Sequence, residues 1–130
     1  MSQFTSVLYV EDNFENRVLV RRLLQHQGLN VMEAETAKQA IHILSENRPD
    51  LILLDINLPE MDGYSLTQII KAMPAMKGIP IVALTANVMR GDRERTLSAG
   101  CDGYIEKPID VDHFIDQIDA FLGKDQGNPQ

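Results

Sequence analysis

Short blocks of consecutive apolar residues alternate along the chain with longer segments in which apolar residues recur every three or four positions. The blocks lie at 7–10, about 29–34, 51–54, 79–84 and 104–105. Several are apolar at every position, as parallel strands covered on both faces must be. In the segments between, Ala37, Ala40, Ile41 and Leu44 fall at i, i+3, i+4 and i+7, and so do Leu66, Ile69, Ile70 and Met73. That is the spacing of one face of a helix. Val111, Phe114, Ile115, Ile118 and Leu122 repeat it near the C-terminus. The first helical segment, about 14–27, carries Val20, Leu23 and Leu24 on one side and closes on Gly28, a residue suited to the left-handed turn after a helix. Five strand–helix units in series predict an α/β fold built on a parallel sheet.

One predicted helix breaks the pattern. Between Arg90 and Ala99 the only large apolar residue is Leu97, against five charged ones, Arg90, Asp92, Arg93, Glu94 and Arg95. So narrow an apolar stripe predicts weak anchoring, or an element that moves. The segment 124–130 is polar and holds Gly127 and Pro129, so an ordered domain over 1–123 and a disordered tail over 124–130 are expected.

At 130 residues the chain suffices for one domain with a full core. The apolar share of 44% and charged share of 24% are those of a soluble globular protein. A formal net charge of −7 argues against direct binding of nucleic acid or of an anionic membrane, both of which need a basic face. Cys101 is the only cysteine, so neither an intramolecular disulfide nor a thiolate metal cluster can form; packing in a turn is expected. No apolar run approaches the ~20 residues of a membrane span, and the first six residues carry no pattern of a secretory leader. A cytoplasmic protein is expected.

The candidate chemistry lies where apolar strands end. Glu11 and Asp12 follow the first block, Asp55 the third, Thr85 the fourth and Lys107 the fifth. In an open parallel sheet, ligands bind at the carboxyl ends of the strands, near the point where strand order reverses. Three carboxylates in one crevice repel one another, and a hard divalent cation with oxygen ligands relieves that conflict; oxygen-only donors point to Mg2+. Asn57, two residues past Asp55, can add its backbone carbonyl. His26, His42 and His113 lack ligand spacing and read as surface residues. Lys107 can pair with a carboxylate or with a phosphoryl oxygen, and Thr85 adds a neutral donor. Phosphoryl transfer needs little beyond such positioning and charge, and the Asp55 carboxylate can be the nucleophile.

Four stretches carry a resemblance: Val10-Glu11-Asp12-Asn13; Asp55-Ile56-Asn57-Leu58-Pro59-Glu60-Met61-Asp62-Gly63; Leu84-Thr85-Ala86; and Gly100-Cys101-Asp102-Gly103-Tyr104-Ile105-Glu106-Lys107-Pro108. In order and at these spacings they resemble the response-regulator receiver domains of bacterial two-component systems, over about residues 7–122. The resemblance implies a flavodoxin-like, doubly wound (βα)5 fold with strand order 2-1-3-4-5. It implies that Asp55 is phosphorylated from a phosphohistidine on a sensor histidine kinase or histidine phosphotransfer protein. Asp12 would bind Mg2+ directly, Glu11 mostly through water, and Asn57 through its main-chain oxygen. Lys107 would hold a phosphoryl oxygen and precede a cis bond to Pro108. Thr85 and Tyr104 would form a switch pair that signals to a downstream protein, or to self-association, through the 90–122 face.

Two other classes compete. Haloacid-dehalogenase-like phosphatases also use a strand-end aspartate with Mg2+, but carry a second aspartate two residues on as general acid, where this chain has Asn57. A flavin or nucleotide carrier would need a Gly- or Ser/Thr-rich phosphate loop after the first strand, and Glu11-Asp12-Asn13-Phe14-Glu15 would repel phosphate instead. With no output domain after Gln130, a stand-alone regulator is expected; the alternative is a receiver excised from a larger regulator or hybrid kinase.

Overall fold

The computed structural model describes residues 5–86 and 92–123, with Asp92 and Arg93 given by their backbone alone. The expectations for the extreme N-terminus, for Arg90 and the Arg93 side chain, and for the 124–130 tail lie outside the described residues. Five strands, β1 (Ser6–Val10), β2 (Asn30–Ala34), β3 (Leu51–Asp55), β4 (Ile81–Thr85) and β5 (Gly103–Glu106), form one parallel sheet of order β2-β1-β3-β4-β5. This is the expected order. The helices are α1 (Phe14–His26), α2 (Ala37–Leu44), α3 (Gly63–Lys71), α4 (Asp92–Ser98) and α5 (Val111–Leu122), with a short 3-10 turn at Pro74–Met76.

Successive strand residues point to opposite faces, which divides the core in two. Val7, Tyr9, Leu51, Leu53, Val82 and Leu84 pack with Val20 and Leu24 of α1 and Phe114 and Ile118 of α5. Leu8, Val10, Ile52, Leu54 and Ala83 pack on the other face with Ala37, Ala40 and Leu44 of α2 and Leu66 and Ile70 of α3. All five residues of β3 and all five of β4 are buried, which explains why these segments read as unbroken apolar runs.

Helix starts are marked by side chains that accept a first-turn N–H: Asn13 from Asn16 (2.8 Å), Thr36 from Gln39 (3.0 Å), Asp62 from Ser65 (2.8 Å) and Asp110 from Asp112 (3.1 Å). Gly28 adopts a left-handed φ of 83° after α1, as expected. Cys101 is buried beside Thr67, its Sγ 3.4 Å from Oγ1.

The predicted apolar stripes of α3 and α5 face the core except at single positions, and α4 is as thinly anchored as its sequence implies. On α3 the buried residues are Gly63, Tyr64, Leu66, Thr67 and Ile70, whereas Ile69 is 38% exposed. On α5 Phe114 and Ile118 are buried but Val111 is 51% exposed. On α4 the apolar Leu97 is 49% exposed and the neighbouring Thr96 is buried.

Candidate functional site

Glu11, Asp12, Asp55, Thr85 and Lys107 all stand where a strand stops. Val10 is in register with Leu54, Asp55 with Leu84, and Thr85 with Glu106, so the ends of β1, β3, β4 and β5 lie side by side along one edge of the sheet. Glu11 follows β1 and is buried, Asp12 is exposed, and Asp55 closes β3 and is buried. Carboxylate oxygens of these three residues all lie within 4.8 Å of one another. Lys107 enters just beyond β5, its Nζ 3.1 Å from Asp55 Oδ2 and 3.6 Å from Glu11 Oε1. The Lys107–Pro108 peptide is cis. The Lys107 N–H donates to the Thr85 carbonyl at 2.8 Å, tying the lysine loop to the end of β4. Thr85 is buried, and Tyr104 is half-buried on β5, in register with Ala83. The Asn57 N–H donates to Asp55 Oδ1 at 3.0 Å and so fixes that carboxylate from the side opposite Lys107. The three histidines are exposed; His113 Nδ1 lies 2.8 Å from Asp110 Oδ2.

Two residues that matter here were not singled out in the sequence. Tyr9 is wholly buried, and its hydroxyl donates to Glu11 Oε1 at 3.1 Å. Arg17 lies on the buried stripe of α1 with Val20 and Leu24. Its Nη1 donates to the carbonyls of Glu11 (3.0 Å) and Asp12 (3.3 Å), and its other nitrogens meet Glu33 and Glu35 at 3.5 Å each. The signal was present in both cases: a hydroxyl-tipped ring two residues before a strand-end acid, and a charge three residues before an apolar stripe residue.

Burial is the main cause that pushes the Glu11 carboxyl up to about 7; the nearby Asp55 carboxylate adds to it and Lys107 opposes it. Tyr9 is pushed up, first by burial and then by the charge of Glu11, so its hydroxyl keeps its proton and remains a donor. One ammonium thus faces three carboxyl groups. The donor set is all oxygen, one acid is exposed for entry, and a divalent cation would balance the excess negative charge. The residues present therefore fit Mg2+. A cation, a lysine and a carboxylate nucleophile together can accept and hold a phosphoryl group.

A family model described as response regulator receiver domain matches residues 7–119. A polar-differentiation response regulator, DivK, of Brucella anthropi is 42% identical over 118 residues, covering 91% of this chain and 96% of its own length. Its counterpart in Brucella ovis matches to the same extent. Among solved structures, the receiver domain of a Pseudomonas aeruginosa sensor histidine kinase, with a magnesium ion coordinated in its active site cleft, has a TM-score of 0.84 at 36% identity and covers 92% of this chain and 98% of that one. A response regulator structure from Chloroflexus aurantiacus has a TM-score of 0.88 at 26% identity, covering 93% and 99%.

Proposed function

Because this chain belongs to the family of response regulator receiver domains, and so acts as a phosphoacceptor switch, we propose that Asp55 is its phosphoacceptor and that the donor is a phosphohistidine on a histidine kinase or phosphotransfer protein. The observation that carries this assignment is the single crevice in which Asp55 Oδ2 meets Lys107 at 3.1 Å with Glu11 and Asp12 alongside. A carboxylate oxygen of Asp55 attacks phosphorus, the P–N bond breaks, and the donor imidazole takes the electron pair and then a proton. Asn57 N–H holds the other carboxylate oxygen and so sets the direction of attack. Lys107 exchanges its contact with Asp55 for one with a phosphoryl oxygen. Glu11, Asp12, Asp55 and the main-chain oxygen of Asn57 would hold Mg2+, which would supply positive charge against the phosphoryl oxygens. The same groups assist loss of the phosphoryl group to water, so the chain promotes its own phosphorylation and dephosphorylation without being an enzyme that acts on others. We place it in the cytoplasm.

The readout runs through Thr85 and Tyr104. The phosphoryl group draws the Thr85 hydroxyl, and Tyr104 turns inward into the space released. The face formed by α4, β5 and α5 then presents a changed surface to a downstream protein. The thin seating of α4, with Leu97 half exposed and Thr96 its one buried side chain among those described, supports an element with two packings.

Incubation with a small phosphoryl donor and Mg2+, followed by intact mass and peptide mapping, tests the assignment. One phosphoryl group should appear on Asp55 and none on the Asp55→Asn variant. Stoichiometric labelling that persists in that variant would overturn it.

A further inference from the structure

A groove of about 660 Å³ runs between α1 and α5, on the face of the sheet away from α2 and α3. Its floor is apolar: Leu19 and Leu23 from α1, Val111 and Ile115 from α5. Leu19 is 37% exposed and Val111 51%, so this floor is open to solvent. Its two rims carry opposite charge. On α1 stand the exposed Arg22 and His26; on α5 stand Asp112, Asp116 and Asp119. No ion pair among the described residues involves Arg22 or any of these three aspartates.

The spacing makes the two rims a matched set. Leu19, Arg22, Leu23 and His26 stand at i, i+3, i+4 and i+7 on α1, and Asp112, Ile115, Asp116 and Asp119 at the same intervals on α5. Each stripe spans two helical turns, about 10 Å. Both helices follow strands of one parallel sheet and cover the same face, so they run in the same direction. A half-turn about an axis parallel to both helices lays the basic α1 stripe of one copy on the acidic α5 stripe of the other, twice, with the apolar residues meeting between. A half-turn about the perpendicular axis would set Arg22 against its own copy.

We infer that the α1–α5 groove is an isologous interface between two copies of this chain, with Arg22 of each copy paired to Asp116 of the other. The occupant is a second copy because one partner must place acid over α1 and base over α5 at matching helical intervals, and this chain does so. The inference stands apart from the phosphoacceptor reading, since no residue of the crevice takes part.

Salt alone cannot test it, because salt screens both these pairs and the repulsion between two chains of charge −7. A charge swap can. Sedimentation velocity of the native chain, from about 10 μM to about 1 mM, should show a weak monomer–dimer equilibrium. Arg22→Glu and Asp116→Arg should each raise the dimer dissociation constant by about tenfold or more, because each sets like charges together twice. Their equimolar mixture should restore association, since both cross-pairs are then attractive. A native chain that stays monomeric over that range would overturn the inference, even if a basic amphipathic peptide were to bind the groove. So would stronger association of the less negative Asp116→Arg variant, which is the signature of net charge alone. A mixture no better than its components would be equally decisive.

Discussion

Gly63 shows how closely the backbone is drawn in behind β3. A Cβ at this position would lie 2.7 Å from the Ile56 Cα and 2.8 Å from the Asp55 carbonyl oxygen, and neither backbone atom can yield alone. The Gly63 N–H also donates to the Ile56 carbonyl at 2.7 Å, so the turn that leaves β3 is fastened to the start of α3. Gly63→Ala should therefore destabilise the fold by about 1–3 kcal/mol, the range for overpacking, and should slow Asp55 labelling as the strand end shifts. Chemical denaturation and a labelling time course measure the two effects. A Cβ at Gly103 would meet only the Phe121 ring, and a ring can turn. Arg17 acts on the opposite side of the crevice. Its guanidinium holds the carbonyls of both acids that follow β1, so it orients that loop without touching Asp55. Arg17→Met should weaken Mg2+ binding by about 10–100-fold, the usual loss when a group that orients metal ligands is removed. The labelling rate should fall at limiting Mg2+ and recover at saturating Mg2+. A rate that stays low at saturation would assign Arg17 a purely structural role.

At the scale of elements, α4 and α5 differ in how firmly they are held. Thr96 points into the protein from α4, and its hydroxyl is buried with no hydrogen-bond partner among the described residues. An unsatisfied buried hydroxyl costs roughly 1–3 kcal/mol. Thr96→Val keeps the shape and removes that cost, so it should raise stability by about 1 kcal/mol and slow amide exchange across α4. Unchanged exchange would mean that the hydroxyl is not what loosens the helix. The start of α5 is better secured. Asp110 caps it, and the same carboxylate meets His113 at 2.8 Å, which holds the imidazole above its usual 6.5. A histidine whose folded pKa is raised contributes stability below the unfolded pKa and loses it as pH rises through the folded one. The NMR titration midpoint of His113 should lie above 6.5 and fall in Asp110→Asn. These two helices also mark how far the sequence could be read. The five strands and the residues at their ends were legible because buried parallel strands leave unbroken apolar runs that end abruptly in polar residues; the strand order was legible only through the resemblance to receiver domains. Helix rotation was less legible. Leu97 and Ile69 are exposed while Thr96 and Thr67 are buried, an arrangement that residue identity alone does not reveal. Tyr9 and Arg17 escaped notice because each combines an apolar body with a polar tip, and only the tertiary structure shows what the tip meets.

Across the whole molecule, the charge of −7 and the acidic crevice make one statement about stability. Folding brings Glu11, Asp12 and Asp55 together against repulsion, with Lys107 the single cation that directly contacts their carboxylates among the described residues. A divalent ion that binds only this arrangement stabilises the folded state by mass action. At Mg2+ about ten times its dissociation constant the gain is about 1.4 kcal/mol, or about 4–7 °C in Tm for a domain of this size. Asp12→Ala, which removes the exposed acid, should lose most of that shift. Lys107→Ala should behave in the opposite way. Without the ammonium the apo crevice is under stronger repulsion, so the variant should unfold at lower temperature than the native chain in the absence of metal. The same repulsion is then left wholly for Mg2+ to relieve, so the upward shift on adding Mg2+ should exceed the native one. Circular-dichroism melts of the three chains with and without Mg2+ separate these cases. Equal shifts in all three would mean that the ion binds elsewhere. A smaller shift in Lys107→Ala than in the native chain would mean that lysine and metal support each other rather than share one task.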